Sequence, residues 1–217
     1  VIEVRVSAEI RSAAEERASR ITSHRTVTSH KNYTGLELDG RYTQGSLGEL
    51  VVERYLESLH IWFKSERPVG RSDNFDFVID HYRVGRIFVD VKSSKDDGDM
   101  LINAAQFERA GTAGPSKAYV GVVLGRDNAL IRGYITSREV PRFPLRKLKS
   151  PAYCVPYEEL RPMEALLKHC RKVGKAWSYR LPGGGGGTFI PGTHLDEDSV
   201  RSVLTERHGV PPEFLER

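Results

Sequence analysis

The spacing of hydrophobic and polar positions changes several times along this chain, and each change marks an element. Alternation over 2–6 predicts a short strand, and a helical period over about 8–21 predicts a helix. The polar stretch TSHRTVTSHKNYTG then reads as loop. A second helix is predicted over about 45–58, where Leu47, Leu50, Val51, Tyr55 and Leu59 form an apolar face and Thr43 or Ser46 is a candidate cap. Three strand-like runs follow, IWFKSE, FDFVID and RIFVDVKSS, and the turn HYRVG between the last two predicts a hairpin. The pattern becomes helical at about 102–110 and returns to strands in AYVGVVLG and ALIRGYI, joined by RDN. YEELRPMEALLKHCRKV reads as a further helix, started or interrupted near Pro162. GGGGG at 183–187 reads as a hinge, because each glycine loses the most backbone freedom on ordering, and one short helix is expected beyond it at about 197–207.

Two residues break the apolar strand RIFVDVKSS. Strand side chains alternate between faces, so Asp90 and Lys92 share one face while Val89 and Val91 take the other. Asp76 likewise interrupts Phe75, Phe77, Val78 and Ile79 in the preceding strand. In a hairpin these two carboxylates converge at one end of the sheet, where they repel unless a cation neutralises them. A divalent metal is the economical explanation, and hard oxygen ligands favour magnesium or manganese. On the helix QGSLGELVVERYLE, Gly45 and Gly48 remove bulk where the helix would approach the sheet; Glu49 follows at once, with Glu53 one turn later on the same face.

Composition narrows the class. With 217 residues, 39% hydrophobic and 29% charged, the chain suits one large domain, or a domain with an appendage, and argues against disorder or a fibre. No apolar run is long enough to span a bilayer and VIEVRVSAEIRSAAEERASR has no signal-peptide core, so a cytoplasmic location without membrane association is expected. Cys154 and Cys170 lie far apart with no zinc-finger spacing, which predicts reduced thiols. The net charge of +4 is concentrated: Arg142, Arg146, Lys147, Lys149, Arg161, Lys168, Arg171, Lys172, Lys175 and Arg180 face only Glu158, Glu159 and Glu164 between 141 and 180. Such a segment, interleaved with Tyr153, Tyr157, Trp177 and Tyr179, suits a phosphate backbone, with Lys168, Arg171, Lys172 and Lys175 as candidate contacts.

The ordered set of Glu49 in a G-x-x-G-E helix start, Asp76 in a strand, Asp90-Val91-Lys92 in the next strand and a helix bearing Gln106 resembles the PD-(D/E)XK superfamily of metal-dependent nucleases over about residues 40–140. That resemblance implies an α/β fold with a restriction-endonuclease-like core, a central mixed β-sheet flanked by α-helices. It also implies a magnesium-dependent deoxyribonuclease in which Asp76 and Asp90 ligate the metal, with Asp73 competing with Asp76 for that role and manganese being an alternative metal, and Glu49 ligates or orients it. Lys92 would position or activate the attacking water and offset phosphate charge, and Gln106 is similar to the helix glutamine of RecB-like members. The expected organisation is a nuclease-like domain over 1–182, comprising a core at about 40–140 and a basic helical extension at 141–182, then a glycine-rich hinge and tail over 183–217.

The expected partner is DNA; a homodimer would suit cuts on both strands, and the tail offers itself to a protein partner. A non-catalytic nucleic-acid-binding module on the same fold is the alternative, and an assembly protein recruiting through its tail is a third reading. The plain explanation of Asp90 and Lys92 is an exposed ion pair on an edge strand.

Overall fold

The structure is a computed structural model that describes residues 1–24, 35–65, 75–111, 117–170, 172, 177–180, 186–189, 205 and 215–216. Its centre is a six-stranded mixed sheet of order β1-β7-β6-β4-β3-β2, made of β1 (Ile2–Arg5), β2 (Phe63–Ser65), β3 (Phe77–His81), β4 (Gly85–Ser94), β6 (Lys117–Leu124) and β7 (Asn128–Thr136). The predicted hairpin is present: β3 and β4 pair antiparallel from Phe77 opposite Val89 to His81 opposite Gly85. Gly85 ends the turn at φ +77°, a conformation that costs a residue without Cβ little. β4 and β6 run parallel, so the chain between them has to cross over, and it does so through β5 (Asp99–Asn103) and α3 (Ala104–Gly111).

Alternation on the central strands feeds two cores. One face of the sheet packs Val89, Val120, Val122 and Ile131 against Val51, Val52 and Leu56 of α2 (Gly35–Ser58), with Ala14 of α1 (Ala8–His24) and Leu166 and Leu167 of α4 (Met163–Leu167) joining them. The opposite face packs Tyr119, Val123 and Ile135 against Met100, Ile102 and Val155. Those partners belong to a second sheet, order β5-β9-β8, with β8 at Leu145–Arg146 and β9 at Ala152–Pro156. The α/β class and the mixed sheet agree with the sequence reading, but helices cover chiefly one face while a small sheet and α3 cover the other. β6, enclosed by both layers, is buried along its whole length.

Four predicted elements differ. The second helix, expected over about 45–58, begins at Gly35, so Thr43 and Ser46 lie inside it and neither caps it. Before the helix expected over 102–110, residues 99–103 form a strand, because Met100 and Ile102 alternate into the second core while Leu101 faces out. α3 begins after Asn103, whose carboxamide accepts the Gln106 N–H at 3.0 Å as a cap. Among its described residues the extension over 141–182 is not helical overall: Tyr157–Glu159 is one 3-10 turn, Pro156 and Pro162 precede these two short helical pieces in extended geometry, and only Met163–Leu167 is α-helical. At the expected hinge, Gly186 and Gly187 belong to β11 (Gly186–Phe189), which pairs with β10 (Trp177–Arg180), while Leu215–Glu216 forms β12. Gly183–Gly185, most of 197–207, and the loop segment 25–34 lie outside the described residues.

Close approaches set where these layers can meet. A Cβ on Gly48 would stand 2.7 Å from the Ser93 Cβ, so α2 lies directly on β4. A Cβ on Gly121 would stand 2.8 Å from the Tyr157 ring, which covers that position on the opposite face. Both thiols, Cys154 and Cys170, are free and buried, and burial raises the Cys170 pKa to about 11. No helix among the described residues is long and apolar enough to cross a membrane.

Candidate active site

Where β3 stops, its neighbour continues. Asp76, expected within the strand, stands immediately before β3, and its N–H donates to the Val89 carbonyl at 2.7 Å. β4 then runs on through Asp90–Ser94, paired to β6 from Asp90 opposite Tyr119 to Ser94 opposite Val123. Its other edge is taken up by side chains: the Asp76 carboxylate accepts the Val91 N–H at 2.7 Å, and the Gln44 amide donates to the Ser93 carbonyl at 2.8 Å. The Ser93 hydroxyl donates back to the Gln44 carbonyl at 3.1 Å, locking α2 against the strand where Gly48 permits the approach. Glu49, the next residue, is thereby carried to the same opening and is 6% exposed.

Asp90 stands between two ammonium groups. Lys92 Nζ lies 2.7 Å from Oδ1 and Lys117 Nζ lies 3.1 Å from Oδ2. The Tyr119 ring, opposite Asp90 in register, supports both cations at 5.9 Å from Lys92 and 4.8 Å from Lys117. Burial together with the Asp90 charge drives the Tyr119 hydroxyl pKa far above its ordinary value, so this ring is a neutral platform. Desolvation works against the Lys92 charge, but the attraction and hydrogen bond of Asp90, then Asp76, then Glu49, outweigh it and leave the pKa raised. Lys92 is therefore a cation at neutral pH on which all three carboxylates bear. Farther along β4, the Ser94 hydroxyl shares a 3.0 Å hydrogen bond with the Tyr157 hydroxyl, closing the far end of the strand.

Glu49 has a partner that the sequence did not suggest. Arg17 of α1 places Nη1 3.4 Å from Glu49 and grips both carboxylate oxygens of Glu53 at 3.0 Å each. The two glutamates do share a helix face, and the residue they share it for comes from another helix. Arg17 carried no signal in a charged amphipathic helix, and Lys117, at the head of a strand after a Gly-Pro-Ser stretch, reads as an exposed residue until the parallel pairing puts it beside Asp90.

Asp90 and Lys92 are thus in contact on an interior strand with side chains only 13% and 22% exposed, so the edge-strand surface pair is not what is found; Asp76 meets the same strand through the Val91 N–H, and Glu49 adds to the attraction on Lys92. Gln106 is not gathered with them: it is exposed on α3, beside β5. Lys168 and Lys172 are exposed and belong to the opposite end of the hairpin, near its turn, where His81 bridges to Cys170; Arg171 and Lys175 lie outside the described residues.

Among the described residues, no three His, Cys, Asp or Glu side chains stand as a ready-made metal cage. The candidate donors are oxygens, the Asp76 carboxylate, which accepts the Val91 N–H, and the Asp90 carboxylate between its two lysines. That chemistry fits magnesium or manganese and not a soft metal. The chain matches no protein-family model, no curated protein and no solved structure.

Proposed function

We propose that this chain is a metal-dependent DNA nuclease that hydrolyses phosphodiester bonds beside Asp90 and Lys92 of β4, on a restriction-endonuclease-like core. The observation that carries the reading is the contact of the Lys92 ammonium with Asp90 at 2.7 Å on a strand whose Val91 N–H is held by the Asp76 carboxylate, with Asp76 and Glu49 adding to the attraction that keeps Lys92 charged. A surface that only bound an anionic backbone would have no use for three carboxylates around its lysine. Asp76 and Asp90 would hold the cation. When bound, a divalent ion polarises a phosphoryl oxygen and lowers the pKa of a water ligand. Lys92 presents positive charge next to Asp90, where charge grows on the phosphate in the transition state. Glu49, tethered to Arg17, orients the carboxylate side of the opening.

Lys117 acts here as a positioning residue. Its ammonium holds the Asp90 oxygen that Lys92 does not, fixing the plane of the carboxylate while competing with a metal for its charge. Lys117→Met is expected to lower kcat about 10²-fold through misorientation of Asp90 while reducing the magnesium concentration for half-maximal rate. Measuring kcat against magnesium separates this from a purely structural role, which would leave both numbers unchanged.

The pairing of Asp90 with two lysines also favours one second reading, a DNA-binding module that keeps its carboxylate neutralised without metal. Cleavage assays on linear duplex, single-stranded, nicked and branched DNA, with magnesium, manganese or EDTA, discriminate the two. Metal-dependent cutting is the expected result; intact substrates at every metal concentration, with salt-sensitive binding, would establish the binding module instead.

A further inference from the structure

At the turn end of the β3–β4 hairpin a second group of residues is assembled that the candidate site does not use. The turn displays Tyr82 and Val84, 72% and 56% exposed, together with exposed Arg83 and Arg86. The segment after α4 is tied to it: the Tyr82 N–H donates to the His169 carbonyl at 2.9 Å, and His81 bridges to Cys170. The His81 and His169 rings meet edge to face at 5.7 Å. Lys168 and Lys172 flank this junction and are both exposed. Asp80, opposite Arg86 in the ladder, offsets one of these charges, which leaves Arg83, Lys168 and Lys172 in excess. The local potential is positive enough to be felt by the imidazoles. Burial lowers the His169 pKa first, and Arg83, Lys168 and His81 lower it further; His81 is lowered by burial and then by Arg83.

We propose that Arg83, Lys168 and Lys172 form a second contact to the backbone of duplex DNA, which grips the substrate about five base pairs from the bond that is cut. The distance follows from the strand. Gly85 and Asp90 both belong to β4, and at about 3.4 Å per residue five residues of strand extend to roughly 17 Å, the length of about five base-pair steps. Tyr82 and Val84 supply an apolar tip between the cations, able to rest on sugar edges in a groove. The register of five base pairs rests on the nuclease reading of the Asp90 site; the binding of DNA by the patch does not.

The test is anisotropy titration of 8-, 12-, 16- and 20-base-pair duplexes in EDTA over a range of salt concentrations, comparing the full chain with Arg83→Ala/Lys168→Ala/Lys172→Ala, both folded by circular dichroism. For 20 base pairs, affinity is expected to fall about 30-fold and the slope of log K against log salt to become shallower by about 2.7, for three lost phosphate contacts. An unchanged slope overturns the proposal, as does equal competition by polyglutamate of matched charge, which would assign the patch to an acidic protein. Cleavage by wild type is scored separately, so a shallower slope without cutting keeps the patch and rejects the nuclease, and cutting with an unchanged slope does the reverse.

Discussion

Asp90→Asn is expected to reduce metal-dependent cleavage by at least about 10³-fold while DNA affinity in EDTA is undiminished. The substitution keeps the shape of the side chain and removes the charge that a hard cation requires. It also has a cost in stability, because the Lys117 side chain is only 9% exposed and loses the carboxylate that neutralises it. Breaking a buried pair from one side destabilises by about 3 kcal/mol or more. Loss of activity through loss of fold is separable from loss of chemistry by adding Lys117→Met. In the double variant the Lys117 charge is gone and only Lys92 lacks its Asp90 contact, so the denaturant midpoint is expected to return part of the way toward wild type while cleavage stays absent. Recovery of cleavage together with stability would show that Asp90 serves the fold and not the reaction, and would remove it from the site.

Gly133→Ala is expected to produce the largest change in stability from a single methyl group. Gly133 sits in β7 beside a register shift, where Gly121 pairs with Gly133 and Val122 with Ile131, leaving Arg132 as an inserted residue. Its φ of +138° is open to glycine and strained for any other residue, and a Cβ there would collide with the Arg161 carbonyl oxygen. That carbonyl cannot retreat, because Tyr134 and Arg161 exchange main-chain hydrogen bonds at 2.9 Å in both directions. Strain and overpacking of this kind together cost about 3 kcal/mol, a fall in Tm of about 10 °C for a chain of this size. Gly85→Ala is the control. It also has a positive φ, +77°, but nothing lies within 4 Å of the added Cβ, so only about 1 kcal/mol of backbone strain is expected. Equal losses in the two variants by chemical denaturation would refute the part assigned to the Arg161 contact.

Much of the site was legible before the structure because its signal is a violation of a local rule. An aspartate inside Ile87–Val91 with a lysine directly after it, and an aspartate inside Phe75–Ile79, are expensive departures from an apolar strand, so they announce themselves. The Gly48-Glu49 pair is similar: the missing side chain marks the contact with Ser93, and the glutamate comes with it. Gln106 had no such support, being drawn from the resemblance to a motif, and it stands exposed on α3. The long helix read over YEELRPMEALLKHCRKV failed for a different reason. Its apolar residues have helical spacing, yet Tyr157 is drawn over Gly121 and Arg161 into a bridge with Tyr134, and both contacts are made with strands distant in sequence.

By itself the sequence determined the β3–β4 hairpin, the common face of Asp90 and Lys92, the helix that delivers Glu49 and the concentration of basic residues after 141. These follow from the period of side chains along a strand or helix and from turn residues, which act within a few positions of one another. Only the tertiary structure decided that Lys117 pairs with Asp90, that Arg17 secures Glu49 and Glu53, and that Lys168 and Lys172 belong to the hairpin turn and not to the Asp90 end. Each of those is a meeting between charged groups from separate elements. Which cation neutralises a buried carboxylate depends on strand register, strand order and helix packing, and none of these is written in the spacing of residues along one segment.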